Sequence, residues 1–298
     1  MSNNETNEVS NIAEIDRQAM RAAFDKAATS YDAAAVLQQE VANRLVDRMD
    51  LMSMKPGSIL DAGTGTGFIS QLLAERYPKA KITALDIAFN MLKQSKNKRS
   101  FKQRWNKQFH YVNAEVENLP FADASLELVI SGLTFQWCQN LPKVFKEIRR
   151  VLAPGGLLMF STFGPDTLKE LRQSWAEVDD LPHVNMFADM HDVGDALLKS
   201  GFADPVMDME MLTVTYEDIK TVMRDLKQIG AHNVMQGRSH QVTGKNKLKK
   251  MMQAYEQYRQ DGLVPVSHEI VYGHAWIPEA KESGSLNEGS VVVPFKKI

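Results

Sequence analysis

Apolar residues along this chain fall into two patterns, one spaced every three to four positions and one in short unbroken runs, and the two alternate. Residues 36–49 carry Leu37, Val41, Leu45 and Met49 four apart, which predicts an amphipathic helix. Lys55-Pro56-Gly57 is a turn, and the apolar run 58–60 behind it predicts a buried first strand. Phe68, Ile69, Leu72 and Leu73 form the next helical face, which Tyr77-Pro78 ends. Runs at 82–85, 111–112, 126–130 and 157–163 predict further strands, with helices starting at Met91 and over 141–152 between them. This alternation predicts an α/β fold, a doubly wound, mostly parallel sheet. Helices over 166–175 and 188–199 and strands over 205–214 and 270–277 bring the sheet to seven strands. Helical patterns at 216–229 and 246–259 lie between the last two strands and break the alternation. They predict a helical insertion, about 215–262, able to roof a ligand site as a lid. Residues 1–14 are polar and expected to be flexible, one domain is expected over 15–280, and 281–298 form a tail.

Composition narrows the class. The chain has 298 residues, 44% hydrophobic and 24% charged, enough for one large domain with a core. A formal charge of -2 argues against general nucleic-acid binding, which needs a basic footprint. No apolar run reaches membrane-spanning length, and the N-terminus lacks the apolar core of a signal peptide, so a cytoplasmic globular protein, a monomer, is expected. Cys138 is the sole cysteine, which excludes an internal disulfide and a cysteine-based zinc site; it reads as a small buried hydrophobe. The histidines show no metal-ligand spacing, and no metal is expected. The basic run between Lys93 and Lys107 reads as a solvated face or as a docking surface for an acidic partner.

The chemistry concentrates where the first strand runs into Asp61-Ala62-Gly63-Thr64-Gly65-Thr66-Gly67. The spacing is G-x-G-x-G, with the third glycine one residue early for a dinucleotide fingerprint, and no lysine follows as a phosphate loop requires. A carboxylate at Asp61 opposes a pyrophosphate but accepts from an ammonium, directly or through water; its other reading is a cap for the turn. Asp86 ends the second strand, 19 residues beyond Gly67, where an acidic side chain meets ribose hydroxyls or caps a helix. A ligand with a ribose, no pyrophosphate and a positive group is implied, and S-adenosylmethionine meets all three demands. Glu115, after the third strand, reads as an acceptor for the adenine amine or as surface loop. Ile87, Met91, Ala114 and Ser131, near the ends of neighbouring strands, complete the set expected around the cofactor with Asp61, Gly63, Gly65, Asp86 and Glu115. Leu133 to Gln136 would border the methionine portion.

The glycine loop, Asp86 and the loop from Asn113 to Pro120 resemble those of class I S-adenosylmethionine-dependent methyltransferases, with their Rossmann-like sheet. More specific segments resemble the malonyl-acyl carrier protein O-methyltransferases of biotin synthesis. These are Ala-Phe-Asp-Lys-Ala-Ala-Thr-Ser-Tyr ending at Tyr31, Phe135-Gln136-Trp137-Cys138-Gln139-Asn140-Leu141, and Leu226-Lys227-Gln228-Ile229-Gly230-Ala231-His232. Gly237-Arg238 and the stretch from Ser267 to Gly273 continue the likeness, which runs from about Ala19 to Trp276. The family commonly has Cys at Thr64, Pro at Thr66 and Asp at Glu115. The resemblance implies methyl transfer to the free carboxylate of a malonyl group on acyl carrier protein, giving an ester that enters pimeloyl and biotin synthesis.

A malonyl carboxylate is ionised near pH 7, so no acid or base catalyst is expected, only proximity and orientation. Candidates for the substrate are Tyr31, Gln136, Trp137, Arg172, Lys227 and Arg238. Arg172 would meet the carboxylate, or else pair with Glu170 or Asp166; Tyr31 would close over the cofactor or anchor the N-terminal segment; Trp137 could equally be a core aromatic, and Phe24 is expected to pack. Lys220, Arg224, Lys227, Arg238, Lys245, Lys247, Lys249 and Lys250 form the candidate surface for an acidic carrier protein. Competing readings are methylation of another small acid or a quinone precursor, a non-catalytic subunit of the same fold, and a nicotinamide oxidoreductase.

Overall fold

A computed structural model describes residues 15–105, 107–230 and 244–279. Its centre is one seven-stranded sheet in the order β3-β2-β1-β4-β5-β7-β6. The strands are β1 (Ser58–Ala62), β2 (Lys81–Asp86), β3 (Phe109–Asn113), β4 (Leu126–Gly132), β5 (Leu152–Phe163), β6 (Ala203–Tyr216) and β7 (Val264–Trp276). The first five pair in parallel, while β7 runs antiparallel to both β5 and β6. The order reverses at β1, between β2 and β4, and such a switch point opens a crevice beyond the carboxyl ends of the strands. The mostly parallel doubly wound sheet expected from the alternation is the one observed.

Helices cover both faces, as a parallel sheet requires. On one face lie α3 (Val36–Asp47) and α4 (Phe68–Arg76), whose Val41, Leu45 and Leu73 pack with Ile59, Ile130 and Met159 of the sheet. On the other lie α7 (Leu141–Val151) and α9 (Met190–Lys199), with Phe145, Ile148 and Leu197 against Val129, Leu158 and Phe160. The α7 helix has both of its ends written locally. The Asn140 side chain accepts from the Lys143 amide at 2.9 Å, Pro142 occupies the first turn, and Arg149 and Arg150 face the negative end of the dipole. Two short N-terminal helices, α1 (Arg17–Ala27) and α2 (Tyr31–Ala34), lead in, and α1 packs on α5 (Phe89–Asn97).

The elements between β6 and β7 are α10 (Ile219–Gln228) and α11 (Lys245–Tyr255). Ile219, Val222, Met251 and Tyr255 join Leu171 and Trp175 of α8 (Lys169–Ala176) and Val264 and Val266 of β7 in a third apolar cluster. Because Ile270 pairs with Phe163 at the end of β5, residues 264–269 project beyond the carboxyl edge of the parallel strands. The cluster therefore sits at the edge where the crevice opens.

Two strand boundaries differ from the expectation. The last strand starts at Val264, not 270, because Pro265, Ser267, His268 and Glu269 interrupt the apolar run yet pair in register with β6. β5 starts at Leu152, since Leu152 pairs with Leu126 ahead of the Pro154-Gly155-Gly156 turn. A helix with no apolar periodicity, α6 (Phe101–Trp105), precedes β3, and its Phe101 and Trp105 are exposed. No helix among the described residues is long and apolar enough to cross a membrane.

Candidate functional site

The turn after β1 carries three glycines in left-handed backbone, and two of them define a surface. At Gly63 (φ +78°) a Cβ would sit 2.1 Å from the Thr134 hydroxyl, so the loop after β4 presses against the turn. At Gly65 (φ +53°) a Cβ would meet nothing within 4 Å, so the turn presents bare backbone to open space. Asp86 fixes the turn from the end of β2. Its Oδ2 accepts from the Gly65 amide and its Oδ1 from the Ala88 amide, both at 2.8 Å. Burial pushes its carboxyl up to about 6, against the pull of those two amides.

Asp61 lies beneath the turn with no exposed surface. Its Oδ2 accepts from the Thr64 and Ser70 hydroxyls, each at 2.6 Å. Its Oδ1 is buried with no partner among the described residues. Burial pushes this carboxyl up to about 6 as well. One Asp61 oxygen thus caps the turn, the second of its two sequence readings.

Above the turn lies a cavity of about 970 Å³, counting its open mouth. Gly63, Gly65, Asp86, Ile87, Met91, Ala114, Glu115 and Tyr31 all line it, as do Gln136 and Trp137. Asp61 and Ser131 do not. Ser131 is buried and donates to the Ala62 carbonyl at 2.7 Å, tying β4 to β1. Tyr31 stands near the Asp86 and Asp32 carboxylates, and burial with those charges pushes its phenol well above its ordinary value. Gln136 is pinned at both ends of its amide, donating to the Leu133 carbonyl at 2.6 Å and accepting from the Thr162 hydroxyl at 3.2 Å. Cys138 also lines the cavity, its thiol pushed up to about 12 by burial, so it carries no thiolate at neutral pH.

A second cavity, about 2540 Å³ with its mouth, adjoins the first. Gln38, Trp137, Phe163 and Ile229 line both. Its far walls come from α1, α8 and α10, and Lys26, Arg224 and Lys227 stand on it as exposed cations. Trp137 is fixed between the two by Phe24, whose ring meets it edge-on at 5.2 Å. Phe24 packs, as expected, and also lines the first cavity.

One substrate candidate falls elsewhere. The Arg172 guanidinium donates to the Pro165 and Thr167 carbonyls, each at 2.9 Å, and lines neither cavity. Burial lowers its pKa, and its partners are backbone carbonyls rather than the Glu170 or Asp166 side chains of its alternative reading. Arg238 lies outside the described residues, as do residues 231–243 of the insertion. Of the basic cluster, Lys220, Lys245 and Lys249 line a separate shallow depression on α10 and α11, and Lys247 pairs with Asp179 at 2.7 Å.

Sequence reasoning missed Arg17. It reaches Glu115 at 2.9 Å and also pairs with Glu117, across roughly a hundred positions of chain, and all three line the first cavity. No local spacing could have signalled that contact. Asp32 was also missed: it accepts from the Thr66 hydroxyl at 2.5 Å and pairs with Lys98 at 2.5 Å, clamping the N-terminal segment to the glycine turn. Among the described residues no group of His, Cys, Asp and Glu could hold a metal ion.

Comparison with known proteins adds to this geometry. A family profile described as a methyltransferase domain matches residues 60–160. The malonyl-acyl carrier protein O-methyltransferase of Gallionella capsiferriformans strain ES-2 is 52% identical over 89% of this chain and 92% of its own length. That of Laribacter hongkongensis strain HLHK9 is 48% identical over 94% and 96%. Among solved structures, the YcgJ protein of Bacillus subtilis superposes with a TM-score of 0.56 over 79% of this chain and 98% of its own, at 13% identity, a likeness of fold alone.

Proposed function

The chain belongs to the malonyl-acyl carrier protein O-methyltransferase family, and we propose that it transfers the methyl group of S-adenosylmethionine to the free carboxylate of a malonyl thioester on acyl carrier protein. The observation that carries this reading is the pair of adjoining cavities, one built for a cationic nucleoside and one large enough for an acyl arm.

The first cavity suits the cofactor on three grounds. The ionised Asp61 carboxylate, buried beneath the turn under the cavity, would favour the positive ammonium group by its charge, without direct contact. The open space at Gly65 lets a ligand lie against backbone. Each Asp86 oxygen keeps a lone pair beyond the amide it accepts, as two ribose hydroxyls require. Ile87, Met91 and Ala114 would flank the adenine, with Glu115 at its amine and Tyr31 closing the mouth. Ser131 contributes by holding β4 against β1. S-adenosylmethionine supplies a methyl group activated by the sulfonium charge.

The residues of the chain then need only position the acceptor. A malonyl carboxylate is already ionised at neutral pH, so no general base is needed, and the Cys138 thiol is too weakly acidic to intervene. Three of the four side chains shared by the cavities are apolar: Trp137, Phe163 and Ile229. A carboxylate brought to that junction sheds water, and since its charge disappears on methylation, an apolar wall favours the transition state over the ground state. Gln136, held at both ends, keeps the loop after β4 in one geometry beside the junction. Lys26, Arg224 and Lys227 offer positive charge to an acidic carrier at the second mouth. α10 walls that cavity while α11 packs beside it on α8, an arrangement suited to a lid. The product, with its charge masked, enters pimeloyl and biotin synthesis in the cytoplasm.

Rates of S-adenosylhomocysteine release with malonyl-carrier protein, free malonate and a quinone precursor test the acceptor. The carrier substrate should be strongly preferred, and its advantage should shrink with added salt. Equal or faster turnover of the free acids, indifferent to salt, would favour the small-molecule alternative.

A further inference from the structure

The stretch from Lys93 to Lys107 carries seven basic residues and no acidic one, in a chain whose formal charge is -2. Among the described residues only one of its lysines meets a carboxylate, Lys98 at Asp32. Lys93, Lys96, Lys102 and Lys107 stand exposed. Within this stretch α6 holds two aromatic rings in water. Phe101 is 83% and Trp105 79% exposed, one helical turn apart on one face, and neither joins an apolar cluster of the fold. The helix is nonetheless fixed. Ser100 and Gln103 form a capping box: the Gln103 amide donates to the Ser100 hydroxyl at 3.2 Å, and Gln103 Oε1 accepts from the Ser100 amide at 2.8 Å. Gln103 Nε2 then donates to Gln71 Oε1 of α4 at 2.7 Å, which pins α6 to the body. Its polar side orders the helix while its apolar side stays uncovered, and an uncovered apolar patch marks an interaction surface.

The chemistry of the patch selects the partner. Protein interfaces favour arginine beside aromatic residues and disfavour lysine. Here both arginines turn back to the chain. Arg99 donates to the Lys96 carbonyl at 3.1 Å and lies over the Tyr111 ring, and Arg104 donates to the Asn97 carbonyl at 3.4 Å. The free charge is left to lysines. A nucleic-acid strand needs a groove to follow, and none of residues 93–107 lines either cavity or the depression on α10 and α11. Exposed rings among lysines suit the boundary of a lipid layer, where rings enter beside the headgroups and ammonium groups meet phosphate. We propose that this face docks on an anionic lipid surface, with Phe101 and Trp105 in the interface and Lys96, Lys102 and Lys107 at the headgroups. Because α6 leads into the amino end of β3, while the cavities open beyond the carboxyl ends of the strands, a docked molecule keeps both mouths free.

The test mixes the full chain with vesicles of phosphatidylglycerol or of phosphatidylcholine and follows flotation and tryptophan emission. Wild-type protein should bind the phosphatidylglycerol vesicles about tenfold more tightly, less so with added salt, and its emission should shift to the blue. Phe101→Ser with Trp105→Ser, and separately Lys96→Gln with Lys102→Gln and Lys107→Gln, should each weaken that binding about tenfold while leaving cofactor binding unchanged. Trp105→Phe should keep most of the binding but lose the blue shift. No binding, equal binding to the two lipids, or binding that survives either set of substitutions would overturn the proposal. So would a dimer that the same substitutions dissolve, or retention of a single-stranded oligonucleotide without vesicle binding; these would assign the face to a second copy or to nucleic acid.

Discussion

Lowering the pH should weaken cofactor binding well before it unfolds the protein. Asp61 and Asp86 both titrate near 6 in the unliganded fold, about two units above an ordinary aspartate, because both are buried. A cationic ligand stabilises the ionised Asp61, so binding requires a proton to leave whenever the pH is below that value. With one such group the dissociation constant scales as 1 + 10^(pKa − pH), which gives about 11-fold weakening at pH 5 and almost none at pH 7. If both carboxylates must ionise the limit is roughly 100-fold, and since each raises the other's pKa they titrate as a pair. Stability of the unliganded protein moves the opposite way. A carboxyl whose pKa is raised by folding contributes its stability fully below the unfolded value near 4 and loses it as pH rises through about 6, costing roughly 3 kcal/mol per group at neutral pH. The Tm gain from S-adenosylmethionine should therefore be larger at pH 7.5 than at 5.5. Calorimetry in buffers of different ionisation enthalpy measures both the dissociation constant and the protons released, and Asp61→Asn should remove most of the pH dependence. A dissociation constant flat from pH 7.5 to 5, with no proton release near pH 6, would refute the reasoning.

Substitutions at the glycine turn should separate folding from binding. Gly63→Ala drives a methyl into Thr134 in left-handed backbone and should cost at least 2 kcal/mol by denaturant unfolding; Gly65→Ala, facing open space, should cost about 1 kcal/mol yet weaken cofactor binding much more, and the reverse ranking would contradict the geometry. Arg172→Ala should lose roughly 2 kcal/mol of stability with the KM for the carrier substrate unchanged, because the guanidinium holds two carbonyls; a raised KM at unchanged stability would place it in the substrate site after all. Reversing Lys26 and Lys227 to glutamate should raise the KM for malonyl-carrier protein about tenfold and flatten its salt dependence, with kcat little changed; an unchanged KM would move the carrier surface elsewhere.

What could be read from the chain alone was whatever depends on local pattern. The alternation of apolar runs and helical faces implied the parallel sheet, and Asp61, the glycines and Asp86 lie on a single strand–turn–helix and the next strand end, where spacing is informative. The amphipathic faces of α10 and α11 were legible for the same reason. Contacts between distant segments were not. Arg17 meets Glu115 and Glu117 only because α1 folds over the loop after β3, and nothing near Arg17 signals it. Arg172 shows the converse: a basic residue after the fifth strand suggested an anion site, but the reversal of chain ahead of α8 exposes two carbonyls that it satisfies instead. Residues 264–269 of β7 read as polar because Glu269 and Ser267 are buried by specific bonds, to the Asp166 amide and to Glu170, that no periodicity reveals. Asp61 was legible as an important carboxylate, but its division into one capping oxygen and one unpaired oxygen required the fold.

The central claim is that the two adjoining cavities join a methyl donor to a carboxylate on a carrier-bound acyl arm. Its most direct measurement is mass spectrometry of malonyl-carrier protein after incubation with the protein and methyl-deuterated S-adenosylmethionine. The account predicts one labelled methyl per malonyl group, on the acyl carboxylate, released as methanol by mild base. A label on the carrier polypeptide, a label stable to base, or no label at all despite tight cofactor binding would contradict it.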